Sequence, residues 1–168
     1  MRIETKNLTG AALDWAVAKA EGLETYFDDG LVCLKGQPFD SANPYWNPSH
    51  NWAQGGPIVE REEISVSREF ASNRIEWAAW TPAPIRDDAN AFGYGPTPLI
   101  AAMRCYVASK LGDEVEIPAE LLEQKISEYA AAMGYQLSPD DCKEIIATPT
   151  HGETVEAVVN DFLDAYER

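Results

Sequence analysis

The sequence predicts an α+β domain: a small antiparallel sheet packed on two helices, followed by a helical C-terminal addition. Three observations carry this. Residues 98–111, PLIAAMRCYVASKL, are apolar or small at nearly every position, and a helix that is apolar all round is a buried one. Asp28-Asp29-Gly30 stands between two short apolar runs, a strong hairpin signal. Beyond Pro118, apolar residues recur at helical spacing in successive stretches.

Taken in order, Thr9 is placed to cap a first helix through LDWAVAKA, with Leu8 positioned to touch Leu13 as a hydrophobic staple. Leu13, Val17 and Ala20 form its inner stripe, with Trp15 to one side, and Gly22 ends it. The hairpin follows. Residues 35–57 carry Pro38, Pro44, Pro48 and Pro57 with Gly36, Gly55 and Gly56, and read as a long segment without regular structure. Phe39, Tyr45, Trp46, His50 and Trp52 make it an ordered loop, because disordered segments are poor in aromatics. Residues 57–60 and 63–66 read as short extended pieces. Residues 74–80 read as a strand with Ile75 and Trp77 on one face and Trp80 on the other. Residues 81–96 read as a second loop. It leads to Thr97 as N-cap, Pro98 at the first helical position and the central helix, which Gly112 closes. That helix falls short of the roughly 20 residues a membrane span needs.

A chain of 168 residues suggests one domain, or one domain with a small appendage. The expected division is an α+β domain over residues 1–118 and an acidic helical extension over 119–168. In the latter, Leu122, Ile126, Tyr129 and Met133 mark one helix, Ser138-Pro139 opens a second, and Val155, Val158, Val159, Phe162, Leu163 and Tyr166 mark a last one. From residue 119 onward there are 11 acidic and 3 basic residues, so acidity is denser there than in the first 118. Cys33, Cys105 and Cys142 are odd in number and widely spaced, which argues against a disulfide framework or a structural zinc site. The opening MRIETKNLTG has no apolar leader core, so a cytoplasmic protein is expected.

The formal net charge is −15. Such a surface repels nucleic acid and anionic membranes, so neither is expected as a direct partner. The charge serves solubility, or it lets the protein compete with DNA for a basic host partner.

Four pieces carry a resemblance: Leu8-Thr9-Gly10, the run 12–22 (ALDWAVAKAEG), the run 52–62 (WAQGGPIVERE), and Gly95-Pro96-Thr97-Pro98 with the helix it opens. In this order they resemble the NinX family of tailed-phage and prophage proteins over roughly residues 1–118. The resemblance implies a phage or prophage origin and action inside a bacterial host. It implies no catalytic residues, since none are established for the family.

His50 and His151 are the only histidines, and neither stands in a spacing that suggests a nucleophilic triad or a metal site. No catalytic residue, metal or cofactor is therefore expected, and the reading is of a protein that is not an enzyme. Two motifs have both a structural and a binding reading. Trp52-Ala-Gln-Gly-Gly-Pro57 is a glycine turn with Trp52 plugging the core. Alternatively, Gly55 and Gly56 bring backbone amides to a ligand, Gln54 offers donor and acceptor, and Trp52 stacks. Gly95-Pro-Thr-Pro98 is plain capping, or Thr97 and the free amides of the helix start make an anion site. Tyr94 and Arg104 lie close by in sequence, and Trp46 and His50 belong to the first loop. If the motifs converge, they form a cleft for a small nucleotide-like or phosphorylated ligand. The expected function is thus a non-enzymatic accessory protein, acting in counter-defence by sequestering such a ligand. The alternative is an acidic inhibitor that imitates DNA charge against a host protein.

Overall fold

The computed structural model of the chain describes residues 2–36, 44–71, 74–82, 91–147, 157, 159, 160 and 162. Strand β1 (Arg2–Glu4) and a single 3₁₀ turn (Thr5–Asn7) lead into helix α1 (Gly10–Ala20). Thr9 occupies the N-cap position, but its side chain makes no cap hydrogen bond, so the expected side-chain cap is not formed; Leu8 and Leu13 are both buried. The helix closes in a Schellman motif. Leu23 N donates to Ala18 O at 2.9 Å and Gly22 N to Lys19 O at 3.1 Å, with Gly22 in the left-handed region. The hairpin of β2 (Thr25–Asp28) and β3 (Leu31–Leu34) turns on Asp29 and Gly30. Both have positive φ, as a two-residue type I′ turn requires.

At residues 52–61 the structure corrects the sequence reading. The Gly-Gly-Pro run expected as a turn and an extended piece is helix α2 (Trp52–Arg61), with Pro57 inside it. An internal proline costs a helix roughly 3 kcal/mol and each glycine about 1 kcal/mol, so local preference opposes this helix. Capping and packing override it. The Asn51 side chain accepts from Ala53 N at 3.0 Å. Ile58 and Gly55 are buried, and a Cβ on Gly55 would stand 2.3 Å from Pro48 O and 2.8 Å from Leu99 Cδ2.

Strands β4 (Ser65–Ala71), β5 (Arg74–Trp80) and β6 (Phe92–Gly95) form an antiparallel sheet in the order β4-β5-β6. Trp77 packs against the core, as expected for its face. Strand β6 is a second correction, because it lies in the stretch read as a loop. Its phenylalanine and tyrosine are exposed and its glycines buried, the reverse of a strand pattern that hydrophobicity would reveal. The glycines let the β6 backbone lie directly on helix α3 (Pro98–Leu111): a Cβ on Gly93 would meet Ala101 O at 2.3 Å and Cys105 N at 2.4 Å.

Helix α3 is the centre of the fold. Ala101, Ala102, Met103, Cys105 and Val107 are fully buried, with α1, α2 and the β4-β5-β6 sheet packed around them. After it, β7 (Glu114–Glu116) returns to pair antiparallel with β1, setting Ile3 opposite Val115. Helices α4 (Ala119–Ala132) and α5 (Pro139–Ala147) follow. Ser138 and Asp141 form a capping box at the start of α5: Asp141 N donates to Ser138 Oγ at 3.2 Å, and Ser138 N to Asp141 Oδ2 at 2.8 Å. Leu121, Leu122, Ile126, Cys142, Ile145 and Val159 join the same buried cluster as α1 and α3. Of the residues expected on the last helix, Val159 and Phe162 are helical. Val155, Val158, Leu163, Tyr166 and His151 lie outside the described residues. No helix among the described residues is long and apolar enough to cross a membrane.

Candidate functional site

The nine residues singled out from the sequence fall into two groups and one outlier. Trp46, His50, Trp52, Gln54, Gly55 and Gly56 gather at the start of α2. Tyr94 and Arg104 meet at the edge of β6 that faces away from β5. Thr97 stands apart as the N-cap of α3, its Oγ1 accepting from Ile100 N at 3.2 Å.

The first group is a tightly bonded scaffold. Gln54 uses both ends of its amide: Oε1 accepts from Asn47 N at 2.7 Å and Nε2 donates to Tyr45 O at 2.8 Å. Gly55 N donates to Asn51 O within the helix ladder. Trp46 donates from its indole to Asp14 O at 3.1 Å and from its backbone to Val32 O at 2.7 Å. Beneath them lies a carboxylate that was not singled out from the sequence. Asp14 is only 4% exposed and its Oδ1 accepts from Ser49 N at 2.8 Å. Burial pushes its carboxyl up to about 6, with the hydrogen bonds of Ser49 and the nearby His50 pulling the other way. Ser49 Oγ lies 2.7 Å from His50 Nδ1, and the His50 side chain is exposed. The signal for Asp14 was its place beside Leu13 on the inner side of a helix. Trp52 is no core plug: it is 55% exposed, and its ring lies beside Gly56.

The second group borders a cleft of about 290 Å³ lined by Glu4, Thr5, Lys6, Phe92, Gly93, Tyr94, Arg104, Ala108 and Asp113. Helix α3 brings Arg104 and Ala108 to it, the 3₁₀ turn brings Thr5 and Lys6, and β6 forms one wall. Arg104 Nε donates to Leu8 O at 2.9 Å and Nη1 to Tyr94 O at 2.7 Å. Two of the five guanidinium N–H groups are thus engaged. Among the described residues no carboxylate lies within salt-bridge distance of Arg104, although Glu76 acts on it at longer range. Burial lowers its pKa from the ordinary value, but a guanidinium stays charged. Lys6 is paired with Glu4 at 2.9 Å.

The register fixes what β6 offers to this cleft. Thr81 N donates to Ala91 O, so the directly opposed pair 81–91 is hydrogen-bonded. Antiparallel ladders alternate, which makes 79–93 and 77–95 hydrogen-bonded and 80–92 and 78–94 not. Phe92 and Tyr94 therefore turn their backbone N–H and C=O groups outward, and the Arg104 bond to Tyr94 O agrees. Their side chains share the sheet face that points away from α3 and are 55% and 41% exposed. Sequence reasoning named Tyr94 and Arg104 but placed them with Thr97. Lys6 and Asp113 were missed, because only the β1–β7 pairing brings them near.

Cys105 is buried in α3, donates to Ala91 O at 3.2 Å, and is pushed up to about 11 by burial, so its thiol stays protonated. Among the described residues, no three His, Cys, Asp or Glu side chains come together as a metal site.

This fold is that of a small α+β protein organised around one buried helix, with a cleft at the edge of its sheet. The chain belongs to the bacteriophage P22 NinX family, whose model matches residues 4–110. The match runs from the end of β1 to the last turn of α3 and contains both groups of residues. No curated protein matches the chain.

Proposed function

We propose that this phage protein is a non-enzymatic accessory factor that binds a small anionic ligand in the cleft at the β6 edge. One observation carries the reading. In a chain of net charge −15, Arg104 lines a cleft with three guanidinium N–H groups unengaged and no carboxylate partner within 4 Å among the described residues. A half-buried cation normally finds a protein counter-ion, and its absence fits an ion supplied by a ligand. The exposed rings of Phe92 and Tyr94 add a stacking surface at the same place. The ligand is then nucleotide-like or phosphorylated. The protein acts in the host cytoplasm by sequestering it, as counter-defence requires.

Mass spectrometry of small molecules released on denaturing the purified protein tests this. An anionic metabolite released from the wild type, and lost from Arg104→Gln, is the expected result. An empty wild type that phosphate and nucleotides also fail to stabilise in thermal melts would refute the reading. The acidic surface competing for a basic host protein would then be the next function to test, by pull-down from host lysate across a salt series.

A further inference from the structure

We infer that the β6 cleft is built for a single nucleotide unit bearing one phosphate, neither a free inorganic anion nor a linked oligonucleotide. The inference rests on the ligand-binding reading above and narrows it. Three chemistries meet in the cleft. Arg104 offers unengaged guanidinium donors, which suit a phosphate in two-point contact. Phe92 and Tyr94 offer exposed aromatic rings one residue apart on one sheet face, on which a base can stack. The outward backbone of β6 presents Phe92 N–H, Phe92 C=O and Tyr94 N–H in succession. No hydrogen bond engages these groups among the described residues. Donor, acceptor, donor along a strand edge is a pattern that reads the hydrogen-bonding edge of a base and is of no use to a bare phosphate.

Size and charge set the upper limit. About 290 Å³ lies at the small end of ligand pockets, which run from roughly 300 to 1,000 Å³. That admits one nucleotide and not two joined together. Glu4 and Asp113 also line the cleft, and Glu4 already neutralises Lys6. Among the described residues Arg104 is the cation of the lining with no carboxylate within 4 Å, but Asp113 stands in the same lining and leaves it without net positive charge, which favours a monophosphate over a triphosphate in an acidic protein. The two carboxylates are suited to accept hydrogen bonds from ribose hydroxyls.

Isothermal titration of the full chain against defined probes tests this. The probes are inorganic phosphate, adenosine and guanosine, the four ribonucleoside 5′-monophosphates, ATP and a cyclic dinucleotide. At least one monophosphate is expected to bind tenfold or more tightly than phosphate, its own nucleoside, ATP or the dinucleotide. Phe92→Ala and Tyr94→Ala, both at exposed positions, should each weaken it by about tenfold with the melting temperature retained. Arg104→Gln should reduce it to the affinity of the nucleoside. Phosphate binding as tightly as every nucleotide would overturn the nucleotide inference and leave the anion-binding function standing. Tighter binding of the dinucleotide or ATP would overturn the size and charge argument. No binding by any probe, with no anion released from the purified protein, would overturn both.

Discussion

The start of α2 and the edge of β6 look alike in the sequence, since each combines aromatics, glycines and hydrogen-bonding side chains. The structure separates them by one criterion, whether the polar groups already have partners. At α2, Gln54 is bonded at both ends, Gly55 lies against Pro48 and Leu99, and Trp46 and Ser49 are tied to Asp14. At β6, three guanidinium donors and three backbone groups remain unengaged among the described residues, beside exposed rings. Residue types suited to binding are also suited to holding a loop, and the sequence alone does not tell which use they have.

The strongest way to break this contrast is at the two glycines. If Gly55 serves packing, Gly55→Ala should cost about 3 kcal/mol or more, since the added carbon meets a backbone carbonyl that cannot step aside. Gly56→Ala meets only the Trp52 ring at 3.7 Å, an ordinary contact, and should be neutral or stabilising by up to about 1 kcal/mol. Urea denaturation reads both. Equal effects at the two positions would mean that the α2–Leu99 contact is not what demands glycine.

The buried anchor of the α2 region predicts a pH dependence of stability. The Asp14 carboxyl is raised to about 6 from 3.8 by burial. The folded protein therefore holds this proton more tightly than the unfolded chain does. The sign follows: stability should rise as pH falls from 7 through 6, and level off toward 4. A shift of this size corresponds to on the order of 2–3 kcal/mol. Below about pH 4.5 the trend reverses. Glu21, despite burial, is held low by Arg61 and Tyr106, and Glu62 is held low by Lys110; both lose these interactions on protonation. Asp14→Asn should flatten the profile between pH 7 and 5. An unchanged slope in that variant would assign the titration to another group.

A smaller contrast lies within α2 itself. Gln54→Ala removes two hydrogen bonds and leaves Asn47 N and Tyr45 O without their partners, so a loss of about 1–3 kcal/mol is expected. Gln54→Glu, which keeps the acceptor and removes the donor, should recover part of it. A silent Gln54→Ala would return this residue to the list of candidate binding groups.

Much of this architecture was legible from local chemistry. The caps at Thr97 and Ser138, the Asp29-Gly30 turn and the buried α3 all follow from rules that act over a few residues. The failures share one cause. Helix α2 contains two glycines and a proline, and β6 reads Phe-Gly-Tyr-Gly with its aromatics outward. At Gly55 in α2 and at Gly93 and Gly95 in β6, glycine is present because another segment approaches within 3 Å of where a Cβ would stand, whereas Gly56 meets only the Trp52 ring at 3.7 Å. Those segments, Pro48 with Leu99 and Ala101 with Cys105, sit well apart in sequence from the glycines they touch or belong to another element, so a window-by-window reading sees only the unfavourable propensity. The candidate site was half legible for the same reason. Arg104 and Tyr94 stood near each other in the chain, whereas Lys6 and Asp113 arrive through the pairing of β1 with β7.

The smallest effects on stability give the sharpest comparison. Trp52 and Tyr94 are both exposed aromatics, at 55% and 41%, one in each region. Truncating either should cost no more than about 1–2 kcal/mol, because roughly half of each residue's surface is already exposed. Their consequences for binding should part. Trp52 stands beside amides that the α2 helix already engages, so Trp52→Ala should leave nucleotide affinity unchanged. Tyr94 lines the cleft, so Tyr94→Ala should weaken it by about tenfold. Measuring both variants by thermal melt and by titration with the same monophosphate separates fold from site within one experiment. If Trp52→Ala weakens binding while Tyr94→Ala does not, the ligand sits at α2 despite its satisfied polar groups, and the partner criterion drawn from these two regions fails.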